Sequence, residues 1–203
     1  MVALDKSVRK AVGGDTDALT DLLRAFAPAV ERFLRIDRPW RSLLETSDVM
    51  QVTYLEAFLQ IGGFDAERGD SFEAWLRRIA ENNLRDAVRG LQRQKRPQPR
   101  DRVTPSGSDS VTGLFDLLGV TTTTPSRQAV RSEMDRHLSA ALEALPSDYA
   151  QAIRLYDLEG FAINDVAAQM GRSPGAVHML RARAHDWLRE RLGAEFGSMS
   201  RLP

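Results

Sequence analysis

The sequence predicts an all-α protein of two small helical domains joined by a flexible linker. Three observations carry this. Apolar residues recur at three- and four-residue steps along most of the chain, and alternating strand-like runs with hairpin turns are absent. A stretch rich in Pro, Ser, Thr, Gly and Asp lies near the middle. A length of 203 residues suits two compact units and a linker better than one helical bundle or three full domains. The expected division is residues 1–97, a linker over 98–125, and residues 126–203.

The elements follow in order. A first helix is expected from Asp15 to Ile36, capped by Asp15 or Thr16, with Leu19, Leu22, Leu23, Phe26, Val30, Phe33 and Leu34 along its apolar stripe. Pro39 marks a break, and a second helix starts at Ser47 as cap. It runs through Val49, Val52, Tyr54, Leu55 and Phe58 until Gly62-Gly63 stops it. Gly62 to Asp70 reads as a loop. A third helix begins near Ser71, carries Phe72, Trp75, Leu76, Ile79, Ala80, Leu84, Val88 and Leu91, and ends where Arg96-Pro97-Gln98-Pro99 forbids continuation. Inside the linker the apolar island Val111 to Leu118 is expected to dock as a helical turn or two. Beyond it come helices at Ser126–Ala144, Ser147–Glu159 (closed by Gly160), Asn164–Met170 and Pro174–Leu192. The first dozen residues and the tail beyond Leu192 carry no pattern that could be used.

Composition narrows the function. With no cysteine, disulfides and thiolate zinc sites are excluded, which fits a reducing cytoplasm. The opening MVALDKSVRKAVGGD has no apolar h-region, and no run approaches ~18 uninterrupted apolar residues, so neither a signal peptide nor a membrane span is expected. The protein is expected to be cytoplasmic. A formal net charge of zero argues against a simple basic nucleic-acid binder. The distribution is uneven, however. Arg77 to Arg100 holds eight basic residues against two acidic ones, whereas Met1 to Leu76 holds nine against thirteen. That asymmetry suits DNA on one face and a protein partner on another.

The sharpest local motif is NDVAAQMGRSPGAVHMLRARAHDWL, Asn164 to Leu188. A helix-turn-helix needs small or apolar residues where two helices cross, a glycine in the tight turn and an apolar residue inside the second helix. Ala167, Met170, Gly171 and Val177 occupy those places, and Ser173-Pro174 makes a good N-cap and first-turn pair. Val177, Leu180, Ala184 and Leu188 are read as the inner face, leaving His178, Arg181 and His185 available to DNA. An ordinary helical hairpin with a solvated polar face is the plainer alternative.

The basic helix from Arg77 to Arg96 carries like charges too dense to be comfortable without an anionic partner. Phe64, Phe72 and Trp75 beside it suit unstacked bases, although Phe72 and Trp75 at helical spacing read first as core. Catalytic constellations are missing: no phosphate loop, dinucleotide fingerprint or nucleophile elbow appears, and His178 and His185 lack a carboxylate at metal-ligand spacing. No enzyme activity and no cofactor are expected. These residues alone leave open a dimeric helix-turn-helix regulator and a helical adaptor that binds only protein.

Two blocks in this order carry a resemblance. DVMQVTYLEAFLQIGGF (Asp48 to Phe64) with FEAWLRRIAENNLRDAVR (Phe72 to Arg89) resembles sigma region 2, and Ala141 to Ala184 resembles sigma region 4. With a short linker in place of a region-3 domain, the whole is similar to the extracytoplasmic-function group of the sigma-70 family. The resemblance implies an alternative sigma factor that directs bacterial RNA polymerase to particular promoters and helps to melt them. It implies as partners the polymerase core, through the coiled coil of its largest subunit and the flap of its second-largest subunit, promoter DNA, and an anti-sigma factor.

The resemblance also assigns residues. Asp48, Gln51 and Leu55 match the polymerase-gripping helix; Phe64 matches the loop that captures a flipped −10 base; Asn82 lines that site, with Arg78, Arg85 and Arg89 as phosphate contacts. The helix from Pro174 matches the one placed in the −35 major groove, with Arg172, Ser173, His178, Arg181 and Arg183 as DNA-binding residues. Two positions depart from the pattern. Val52 stands where the family usually has an acidic residue, and His178 where Arg or Lys is common.

Overall fold

The computed structural model describes residues 2–65, 71–95, 108–118 and 127–199, and the chain divides into two compact units, Met1–Leu91 and Gln92–Pro203. Every regular element among the described residues is helical.

The first unit opens with α1 (Val2–Val12), a helix that the sequence pattern did not announce. Among the residues of α1 whose burial is described, Val8 and Ala11 are buried, and the helix packs on α2 (Thr16–Phe33). Asp15 caps α2 by accepting from the Ala18 N–H at 2.9 Å, so the helix begins where expected and ends three residues early. A 3₁₀ turn at Arg38–Trp40 follows Asp37, with Pro39 inside it.

Helix α3 (Thr46–Gln60) is capped at Glu45, two residues ahead of the expected Ser47. The Asp48 carboxylate accepts from the Glu45 N–H at 2.7 Å, the reciprocal half of a capping box. A 3₁₀ turn, Ile61–Gly63, leads into Phe64, and α4 (Phe72–Lys95) starts on a Ser71 hydroxyl that accepts from Ala74 N–H at 3.2 Å. Two features fasten the unit. Phe72 lies 5.6 Å from Phe26 and 5.4 Å from Trp75, a cluster of tilted rings in the core. Asn83, fully buried, donates to the Thr53 hydroxyl at 3.2 Å, and Thr53 donates to the Val49 carbonyl at 2.7 Å, tying α4 to α3.

In the second unit the island expected to dock as a turn or two is a helix of 11 residues, α5 (Ser108–Leu118). It packs through Leu114, Phe115 and Leu118, all essentially inaccessible. Then come α6 (Arg127–Ala144) and α7 (Ser147–Ala152), the latter running without a break into a π-helical turn, Ile153–Leu158. The expected helix Ser147–Glu159 is therefore one rod with two hydrogen-bond registers. α8 (Ile163–Met170), Gly171 in the left-handed conformation (φ 61°) and α9 (Pro174–Met199) complete the helix-turn-helix. Ile163, Val166, Ala167 and Val177 form the core of that motif. α9 continues seven residues beyond the expected Leu192.

Candidate nucleic-acid interface

Along α4, Arg78, Asn82, Arg85 and Arg89 fall at four-, three- and four-residue steps, which sets them on one face. The three arginines are exposed and Asn82 is half-buried, its side-chain carbonyl accepting from Arg85 at 2.8 Å. The neighbouring Asn83 points the other way, into the core. Arg77, counted with the basic cluster, lies with its guanidinium 3.5 Å from the centre of the Phe33 ring, a cation–π contact that draws it back onto α2. Arg96 and Arg100 lie outside the described residues, as does 66–70 of the expected loop.

Phe64 differs from its expected place. Its ring is 7% exposed and sits 5.3 Å from Trp75 and 6.1 Å from Phe72. Burying an aromatic ring beside two others outweighs displaying it to water, so it belongs to the core cluster and offers no open stacking face here.

Gln51 is exposed and Leu55 half-buried on α3. Phe58 and Leu59, at 43% and 52% exposure, continue the same face. Sequence reasoning named Phe58 among the apolar residues of this helix without assigning it a face and did not name Leu59; both stand off the stripe of Val49, Val52 and Thr53 that is buried. Asp48 flanks this face as a capping residue. Val52 is buried, so the missing acidic residue at that position concerns the core and not a contact surface.

The second unit corrects three expectations. Arg181 is not turned outward: its Nε lies 2.9 and 2.8 Å from the two Asp157 carboxylate oxygens and its Nη2 2.6 Å from one of them, a forked ion pair with 17% and 1% of the side chains exposed. His185 Nε2 lies 3.1 Å from Asp157 as well. His178 is buried, its ring 6.5 Å from that of Tyr156, and its Nε2 has no hydrogen-bond partner among the described residues. The reason is geometric. Val177, Arg181, Ala184 and Leu188 follow four-, three- and four-residue steps, so Arg181 stands on the apolar stripe and not opposite it.

Two charge states follow. Burial alone would raise the Asp157 pKa, but hydrogen bonds from His185 and Arg181 and their charges outweigh it and hold the carboxyl below its ordinary value. Burial, with the charges of Arg181 and Arg93, lowers His178 from 6.5 to about 4, so the ring is neutral at pH 7. Asp157 was missed by sequence reasoning. It stands four residues after Ile153 and eight after Tyr149, both buried, and an acid on an apolar stripe is the mark of a paired interior carboxylate.

The other expected contacts are already engaged inside the unit. Arg172 reaches Asp148 at 2.7 Å, with about a third of each side chain exposed. The Ser173 hydroxyl accepts from Ala176 N–H at 3.1 Å as the cap of α9, as expected of a Ser-Pro start. Arg183 lies 3.7 Å from Asp186. No cluster of three metal-ligating side chains, and no helix long and apolar enough to cross a membrane, occurs among the described residues.

Known proteins match the chain in two blocks: residues 22–94 match sigma-70 region 2, and residues 136–188 match sigma-70 region 4. The chain is similar to the RNA polymerase sigma factor CarQ of Myxococcus xanthus, 32% identical over 181 residues that cover 89% of this chain and 92% of the relative. It is 28% identical to the ECF RNA polymerase sigma factor SigD of Mycobacterium tuberculosis over 193 residues, 94% of this chain and 84% of the relative. Among solved structures it is similar to CnrH in complex with the cytosolic domain of CnrY, with 23% identity, coverage of 95% and 96%, and a TM-score of 0.32.

Proposed function

The chain belongs to the extracytoplasmic-function group of the sigma-70 family, and from that premise we propose how its residues divide the work of initiation. As an alternative sigma factor it directs bacterial RNA polymerase to particular promoters and promotes their melting; the reading as a dimeric helix-turn-helix regulator is not favoured, because the chain carries a region 2 block as well as a helix-turn-helix. Sigma factors bind the polymerase core and promoter DNA, and act without catalysing a reaction of their own.

In this proposal residues 1–97 melt and hold the −10 element, 98–125 connect, and 126–203 read the −35 element. The observation that carries the first assignment is the stripe Arg78, Asn82, Arg85 and Arg89 on one face of α4. Three guanidinium groups along one helical face meet the phosphates of a strand, while Asn82 offers both a donor and an acceptor to a base edge. Gln51 and Leu55, extended by Phe58 and Leu59, give the apolar surface that docks on the coiled coil of the largest polymerase subunit, with Asp48 at its edge. An anti-sigma factor competes for sigma surfaces of this kind. In the second unit, α9 enters the major groove once Arg183, whose side chain is 17% exposed beside Asp186, swings out to it, and Arg172 exchanges Asp148 for a phosphate; the flap of the second-largest subunit holds this unit in place.

Phe64 takes a base only if its ring leaves the core. With zero net charge over the chain, neither unit carries a basic excess large enough for tight DNA binding by itself, and tethering both to polymerase supplies effective concentrations of about millimolar. These events belong to the cytoplasm.

The test is Arg85→Ala with Arg89→Ala in reconstituted holoenzyme. Open-complex formation should fall by a similar factor on promoters with different −10 sequences, and the salt dependence should flatten by about two phosphate contacts. A defect confined to one −10 sequence would contradict the phosphate role.

A further inference from the structure

Asp157 sits on the π turn before the helix-turn-helix, and its side chain is 1% exposed. All its described partners come from one helix, α9. Arg181 meets both carboxylate oxygens through Nε and one of them again through Nη2, and His185, four residues on and so one turn further along the same face, approaches the second oxygen at 3.1 Å. The Tyr156 ring lies 4.7 Å from the Arg181 guanidinium carbon, closing the fork from the side. A planar guanidinium held at two atoms allows one orientation, whereas an ammonium would allow several.

Apolar packing buries α9 along Val177, Leu180, Ala184 and Leu188, but apolar contact is non-directional and leaves the fine rotation of the helix less sharply set than a directional bond does. A forked ion pair with a second hydrogen bond one turn away adds that directional restraint. Rotation of α9 decides which of its side chains meet base edges, so a group that fixes rotation acts on sequence preference without touching DNA.

We propose that Asp157 is a positioning residue for −35 recognition, fixing the rotation of α9 through Arg181 and His185. The proposal rests on the reading that α9 enters the −35 groove. It reverses the part first expected of Arg181, which here faces inward to set the angle of the helix.

The experiment uses the holoenzyme and a set of promoters that differ by single base pairs in the −35 element. Wild type should prefer the best element over single mismatches by about tenfold or more. Arg181→Lys keeps the charge and loses the fork. It should keep the thermal melt of the protein close to wild type while the preference shrinks by at least threefold across several positions. Because Asp157→Asn strands a buried guanidinium and can unfold the unit, it is paired with Asp157→Asn/Arg181→Met, which removes both charges. The double variant should fold, initiate, and show the same flattened preference. Unchanged preference ratios in both folded variants, beside a discriminating wild type, overturn the proposal alone. A wild type indifferent to −35 bases overturns it together with the reading beneath it.

Discussion

His178 carries an unpartnered ring nitrogen in an apolar setting, and that has a consequence for stability against pH. An unfolded chain protonates this ring near pH 6.5, whereas the folded one does so only near about 4. Between those values the unfolded state binds more protons, so stability falls as pH drops from 6.5 towards 4 and is unaffected by this ring above 6.5. The full shift corresponds to roughly 3 kcal/mol. Denaturant unfolding of the second unit should therefore show a lower midpoint at pH 5 than at pH 7, and His178→Met should flatten that difference. Asp157 contributes in a separate window. Its lowered pKa gives stability that is present above the ordinary carboxylate value and is lost only at more acid pH. Residue by residue, the spacing along α4 sets Arg78, Arg85 and Arg89 on one face, and all three are exposed, because exposure on a regular stripe follows from helical periodicity. Sequence reasoning misread Arg181, whose step from Val177 and Ala184 already set it on the apolar stripe but whose charge suggests an outward place unless the Asp157 partner is known, and Phe64, whose ring cluster local spacing does not contain.

At the scale of elements, caps and breakers were the most legible signals: Asp15, Ser71, Ser173 and Gly171 stand where helices begin and end. Three features escaped. α1, among the residues whose burial is described, buries only the small Val8 and Ala11; the π turn differs from its neighbours in hydrogen-bond register, which apolar periodicity does not record; and the length of α5 depends on what it packs against. Gly171 gives a direct test of the turn. A Cβ built there would meet nothing within 4 Å, so substitution is opposed by backbone conformation alone. With φ at 61°, Gly171→Ala should lower thermal stability by about 1 kcal/mol, and Gly171→Asn by less, since Asn tolerates the left-handed region. A melt in which Ala and Asn are equally neutral would contradict that account of the turn.

At the scale of the molecule, the two-unit division and the helical class were both readable, the first from composition and the second from periodicity. What composition concealed is that the connecting stretch contains a docked piece. α5 belongs to the second unit, held by Leu114, Phe115 and Leu118 and by Arg189 Nε, which donates to the Leu118 carbonyl at 3.2 Å. The chain joining α4 to the docked helix is then residues 96–107, whose fully stretched contour is about 40 Å. With α5 released, the joining chain is residues 96–126, about 100 Å at full stretch. Under the proposed function, in which the two units engage the −10 and −35 elements, releasing α5 lengthens the chain available between them, and the tolerated spacing between those elements should widen. Leu114→Asp with Phe115→Asp should free the helix, leave initiation at the best spacing nearly intact, and extend activity to promoters with several added base pairs between the elements. A spacing profile identical to wild type would mean that the reach of this sigma factor is set elsewhere.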